Sequence, residues 1–228
     1  MFIQNPTIPD VAQHAKLLNI AFTILYAFFT IMIFRRYMKN KSKVAKNLAI
    51  NFGLYTIISV ILTIQYVIIE EKGAGTEEES WLGATFMALV CIATIFMYLF
   101  YTELDSKSLE KKKIVSILGM SLSAWILLPF DDMLGIVFIT YALMLFYNGY
   151  VYLKIGLALY KTINRVPEKR KALIAIVVGC FLFLVFFLLV AVAGILNHGI
   201  LLLASLVVLF LTMTSFYFGF IHPSLKSK

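Results

Sequence analysis

Hydroxyl and amide side chains recur along several apolar stretches of the sequence, and their chemistry suits the binding of a small neutral ligand. On a helix, residues spaced three, four or seven apart share one face, as Asn19, Thr23 and Tyr26 do. A few hydrogen-bonding groups in otherwise apolar surroundings are typical of a small-molecule pocket. The same groups can instead hydrogen-bond one helix to another, and that alternative stays open. The candidates for ligand binding are Asn19, Thr23, Tyr26, Tyr66, Tyr141 and Asn148.

Cysteines, histidines and acidic residues give little support for catalysis or metal binding. Cys91 and Cys180 both lie inside apolar runs, and no Cys-x-x-Cys spacing occurs. The three histidines are dispersed along the chain, and no acidic residue is paired with one in a pattern that hydrolytic chemistry uses. We therefore expect no enzyme activity, no metal site and no cofactor.

The elements that must position these side chains are membrane-spanning helices. The chain is 61% hydrophobic and only 14% charged, whereas soluble chains carry about 25% charged residues. A helix needs roughly 20 apolar residues to cross a bilayer, and backbone groups in lipid must be satisfied within each span. The sequence predicts an all-α bundle of seven spans, forming a single membrane domain over residues 1–228 without a soluble domain. The predicted spans are approximately 17–34, 48–69, 81–101, 114–130, 133–153, 172–196 and 199–221.

Basic residues predict the orientation of these spans. Alternate loops and the tail hold 18 of the 20 Lys and Arg residues, while the opposite loops hold 8 of the 12 acidic residues. Cytoplasmic loops carry the excess of Lys and Arg, so the N-terminus is predicted to lie outside and the C-terminus inside. An arrangement of three, one and three helices is compatible with this order.

The predicted cytoplasmic face is strongly basic. It is expected to meet anionic lipid headgroups or a cytoplasmic signalling partner. Since the basic residues lie in short loops between spans, we expect no nucleic-acid partner. The residues of this surface are Arg35, Arg36, Lys39, Lys111, Lys112, Lys113, Arg165, Lys169 and Arg170.

The middle of every predicted span is free of charged residues. Proton pumps and ion-coupled carriers usually place Asp, Glu, Arg or Lys there, so ion-coupled transport is disfavoured. A retinal protein needs a buried lysine for its Schiff base, and we therefore expect no retinal. Within the sixth span, residues 181–192 carry no polar stripe, which predicts that this segment largely faces lipid.

The layout resembles the seven-transmembrane sensor module that precedes prokaryotic histidine kinases and related signalling domains. The similarity lies in the first hairpin, residues 26–66, in YLFYT at 98–102, and in GFIHP at 219–223. It covers the membrane portion and includes no diagnostic motif. The chain is expected to depart from the pattern in having no output domain of its own after Lys228. The resemblance therefore implies that a signal leaves through a partner.

These observations predict a sensor- or receptor-like membrane module, or a regulatory membrane subunit, with a small-molecule pocket. The alternative is a facilitative transporter of a small neutral solute, which needs no buried charge. The lipid bilayer is the expected environment, in the cell (plasma) membrane, and an oligomer is compatible with the sequence.

Overall fold

A computed structural model describes residues 7–73, 76–105, 109–127, 134–196 and 198–221 of the chain. Within these ranges every regular element is a helix, so the predicted all-α class is confirmed. Short 3₁₀ turns (Ile163–Arg165 and Pro167–Lys169) link the fifth and sixth helices, and a π-helical segment (Tyr217–Ile221) follows the seventh. The α-helices are α1 (Ile8–Asn40), α2 (Lys43–Lys72), α3 (Glu77–Asp105), α4 (Leu109–Ile126), α5 (Leu134–Thr162), α6 (Arg170–Leu196) and α7 (Gly199–Phe216).

Six of the described helices are long and apolar enough to cross a membrane, which supports an integral membrane protein. The helix outside that set is α4, which has 18 residues and begins with a charged turn. The predicted fourth span, 114–130, is helical as far as Ile126, and residues 128–130 lie outside the described part. A span at 114–130, and with it the total of seven, therefore stays a prediction.

Contacts divide the chain into two compact units. One comprises Lys16–Asn148, and the other comprises the described parts of Met1–Ala15 and Gly149–Lys228. The single membrane domain stays a prediction.

In the unit Lys16–Asn148, α3 and α4 approach closely at a glycine. A Cβ atom on Gly119 would lie 2.7 Å from Cγ1 of Ile95 and would collide with the hydroxyl of Tyr147. The adjoining core contains Met87, Ala88, Cys91, Ile126 and Met144, contributed by α3, α4 and α5. The small residue at position 119 therefore sets how near the helices lie.

In the other unit, aromatic side chains of α6 are buried. The ring of Phe183 lies 4.5 Å from that of Tyr152 and 4.7 Å from that of Phe187. Phe183, Phe186 and Phe187 are all buried, so the prediction that residues 181–192 largely face lipid is wrong for these three. Other residues of the same helix, such as Leu188, are exposed. The helix is apolar on all sides, and hydrophobicity alone does not distinguish lipid from protein as the neighbour.

The break between α6 and α7 is a capped turn. Nδ1 of His198 accepts a hydrogen bond from the backbone N–H of Leu201 at 3.4 Å, and the backbone N–H of His198 donates to Ala193 O at 2.9 Å. An N-cap side chain satisfies one of the N–H groups that the first helical turn leaves free. The long apolar stretch 172–221 is thus divided at Gly199, where α7 begins, as the sequence predicted.

Candidate functional site

The predicted candidates on α1 meet α2 through a buried hydrogen bond. Asn19 is 1% exposed, and its backbone carbonyl accepts hydrogen bonds from Ser59 Oγ at 3.0 Å and from Thr23 Oγ1 at 2.9 Å. Ser59 lies on α2, so this contact joins the two helices. Helix geometry explains the contact of Thr23, since it follows Asn19 by four residues. The polar stripe of α1 therefore contributes at least partly to cohesion between helices.

Tyr26 lies two turns beyond Asn19 on α1 and packs inside an aromatic cluster. Its ring stacks on that of Tyr55 at a centroid distance of 5.6 Å and lies 6.5 Å from that of Phe52. Tyr26 is 2% exposed. A ligand would therefore have to displace packed rings, or bind from one edge of the cluster, to reach the phenol.

Tyr66 is buried on α2, close to the end predicted to lie outside. One turn further along α2, Glu70 forms an ion pair with Lys16 of α1, and both side chains are partly exposed. Tyr141 lies on α5, but its side chain is outside the described residues. This end of the α1–α2 pair thus places a buried phenol one turn from an ion pair between the two helices.

Asn148 of α5 is the centre of a polar cluster that joins α5 to α3. It is 0% exposed, and its Nδ2 donates to Met144 O at 2.8 Å. Its Oδ1 accepts a hydrogen bond from the hydroxyl of Thr94 on α3, and that hydroxyl also lies 3.0 Å from Val90 O. Since a hydroxyl has one proton, the two acceptors share it.

The second N–H of the Asn148 amide has a weak partner. Nδ2 lies 3.9 Å from Sγ of Cys91, which is also completely buried. Sulfur is a weak hydrogen-bond acceptor. A ligand oxygen that reached this N–H would replace only a weak contact, so this N–H is the group in the cluster that is best suited to a ligand.

Some residues outside the six candidates hold this region together. Nδ2 of Asn51 on α2 donates to Ala93 O of α3 at 2.7 Å. Oγ of Ser123 on α4 lies 3.1 Å from Ala88 O of α3. Together with Thr94, these residues were missed as site components. Asn51 and Thr94 do carry a sequence signal, since both lie on helical polar stripes, but a stripe does not identify its partner.

The predicted basic surface is largely exposed where it is described. Arg35, Arg36 and Lys39 are exposed at the end of α1. Lys112 is partly buried and forms an ion pair with Glu103 at 3.0 Å. The side chain of Lys111 lies outside the described residues. The other exposed members are Lys113, Arg165, Lys169 and Arg170.

The candidates thus fall into an α1–α2 cluster around Asn19 and Tyr26 and an α3–α5 cluster around Asn148. Both clusters offer neutral hydrogen-bonding groups, which can bind a ligand or hold helices together. No family model, curated protein or solved structure matches the chain.

Proposed function

We propose that this protein is a sensor- or receptor-like membrane module, or a regulatory membrane subunit, that binds a small neutral molecule between its helices. The observation that carries the proposal is the Asn148 cluster. It is a buried amide with one weakly satisfied N–H, and it joins two helices within an apolar core. A ligand that replaced the sulfur contact would alter the α3–α5 contact, which is how binding would be transmitted.

The bundle is proposed to have seven spans, with α4 as the fourth, the N-terminus outside and the C-terminus in the cytoplasm of a cell (plasma) membrane. The distribution of basic and acidic loops supports this orientation. The exposed basic residues at the end of α1 and between α5 and α6 would then face the cytoplasm, and those between α5 and α6 would offer a surface to a signalling partner.

Labelling of introduced cysteines tests the topology. In a background without native cysteines, Lys41→Cys, Lys112→Cys and Lys169→Cys should react from the cytoplasmic side only. Glu78→Cys should react from the outer side only. Labelling of positions 78 and 112 from the same side would refute the proposed arrangement of spans.

A facilitative carrier of a neutral solute is the competing function, because it also uses uncharged polar groups. The absence of charge in the middle of the spans disfavours ion coupling, but it is compatible with both functions. A carrier must open to both sides of the membrane, so its flux in proteoliposomes should saturate with concentration. A sensor should bind its ligand without net transport.

Two assays on the same proteoliposomes distinguish the two functions. Proteoliposomes are assayed for uptake of radiolabelled glucose, glycerol and urea, which tests the carrier. In parallel, a metabolite library is screened for compounds that protect Cys91 from a thiol reagent, which tests ligand binding. The sensor proposal predicts protection that Asn148→Ala abolishes, without uptake above that of empty vesicles. Saturable uptake that falls in Asn148→Ala or Tyr26→Ala would refute the sensor proposal and establish the carrier.

A further inference from the structure

The connection between α1 and α2 concentrates positive charge. We define the basic hairpin as residues 35–46, which carry six Lys and Arg residues and no acidic residue. All six basic side chains are exposed. We propose that the basic hairpin is a binding surface for the headgroups of anionic phospholipids. This proposal is independent of the small-molecule pocket.

The depth of the hairpin matches the headgroup layer. The predicted apolar spans end at residue 34 and resume at residue 48, whereas α1 continues to Asn40 and α2 begins at Lys43. Six further helical residues extend about 9 Å along the axis. The headgroup layer is roughly 5–8 Å thick on each side of the hydrocarbon core. The hairpin would therefore cross this layer and place its charges among the phosphates.

Among the described residues, no carboxylate neutralises these charges. Within the described part of the chain, none of the six basic side chains forms an ion pair. Lys112, near the next predicted cytoplasmic connection, does have a carboxylate partner, Glu103. Membrane orientation requires only an excess of Lys and Arg in the loop. Such an excess orients the loop, and the exposed side chains are in addition free to contact lipid phosphates.

The turn at the tip brings the charges of both helices together. Lys41 adopts φ 49°, in the left-handed region, and its N–H donates to Tyr37 O at 2.7 Å. Its ammonium lies 5.5 Å from the centroid of the Tyr37 ring. The reversal uses only Lys41 and Ser42 between the helices. Lys39 and Lys43 therefore stand on either side of a two-residue turn and can contact one headgroup layer together.

The magnitude of the effect follows from the charge count. Each Lys or Arg near an anionic surface changes the affinity by about fivefold, and the effect decreases within a Debye length. Removing three charges should therefore lower the preference for anionic lipid at the tip by at least about tenfold. The preference should also weaken as the salt concentration rises.

A local probe measures this preference. In the full chain without native cysteines, a fluorophore is attached to Asn40→Cys and the protein is placed in phosphatidylcholine bilayers. Its quenching by spin-labelled phosphatidylglycerol is compared with its quenching by spin-labelled phosphatidylcholine at the same mole fraction. The tip variant is K39Q/K41Q/K43Q. The charge-retaining variant is K39R/K41R/K43R. The matched control removes three exposed lysines elsewhere, as K161Q/K169Q/K171Q.

The proposal expects a loss of at least about tenfold in the tip variant, and less than about twofold in the charge-retaining variant and the matched control. Equal preference for both lipids in the unmodified chain, or equal losses in the tip variant and the matched control, would overturn it. Displacement of lipid by inorganic phosphate, at an ionic strength where chloride has no effect, would instead assign the surface to free phosphate. Monodisperse elution of each variant in detergent ensures that a loss reflects charge and not misfolding.

Discussion

The hydrogen bond between Thr94 and Asn148 should stabilise the α3–α5 contact, and Thr94→Val tests this directly. The substitution keeps the shape of the side chain and removes the hydroxyl. It leaves Oδ1 of Asn148 without its described donor in a core where water does not replace it. Thr212→Val on α7 is the matched control. Thr212 is also 0% exposed and also contacts the carbonyl four residues earlier, at 2.8 Å, but it has no described bond to another helix.

The expected magnitude is set by hydrogen bonds between membrane helices, which contribute about 0.6 kcal/mol on average and about 1.7 at most. Because both groups are completely buried, we expect about 1 kcal/mol for Thr94→Val, or about fivefold in an opening equilibrium. The control, Thr212→Val, should change the opening equilibrium by less than about twofold, since the Val208 carbonyl retains its helical hydrogen bond. In a double-mutant cycle with Asn148→Ala, the coupling energy should also be about 1 kcal/mol.

The buried thiol of Cys91 provides the assay. Cys91 is 0% exposed and contacts Nδ2 of Asn148 at 3.9 Å, so a thiol reagent reaches it only when this region opens. With Cys180→Ala as background, the labelling rate in detergent reports that local opening. Thr94→Val should accelerate labelling about fivefold, and Thr212→Val should leave the rate within about twofold. If both valine variants change the rate equally, the hydrogen bond between α3 and α5 does not stabilise the contact.

The remaining predictions concern the backbone and the absence of a pigment. Gly119→Ala should destabilise the fold by about 1–3 kcal/mol in thermal denaturation, because the added Cβ would lie 2.7 Å from Ile95 Cγ1. Gly53→Ala is the control, and it should be neutral or stabilising because the nearest contact of its Cβ would be at 3.7 Å. Lys41→Gly should raise the melting temperature by a few degrees, because glycine adopts a φ of 49° without steric cost. Purified protein incubated with retinal should show no visible band that hydroxylamine bleaches, since the seventh predicted span contains no lysine.

The helical class and most span positions could be predicted from sequence because lipid imposes simple requirements. An apolar run of sufficient length must satisfy its own backbone, and only a helix does so within one segment. For this reason the predicted span 48–69 falls inside α2, and 81–101 falls inside α3. The seventh predicted span begins at Gly199, as α7 does. α1, α2 and α3 extend beyond their predicted spans at both ends, because charged and polar residues continue the helix there.

The candidate site was only partly predictable. The sequence singled out Asn19 and Asn148 as candidates for ligand binding, and both are almost completely buried. It did not identify Ser59 and Thr94 as their partners. Periodicity fixes the face of one helix, but pairing requires the relative height and rotation of two helices, and packing sets both. Tyr141 remains a prediction because its side chain lies outside the described residues.

The sequence by itself indicated the environment in which this protein folds. Its hydrophobicity indicates lipid, and the position of each apolar run predicts where a helix lies along the chain. Only the tertiary structure decided which apolar residues touch protein. Phe183 is 0% exposed on α6 and Leu188 is 62% exposed, although both are strongly apolar. In water a buried face differs from an exposed face in polarity. In lipid both faces are apolar, so close packing and a few hydrogen bonds between helices decide the choice.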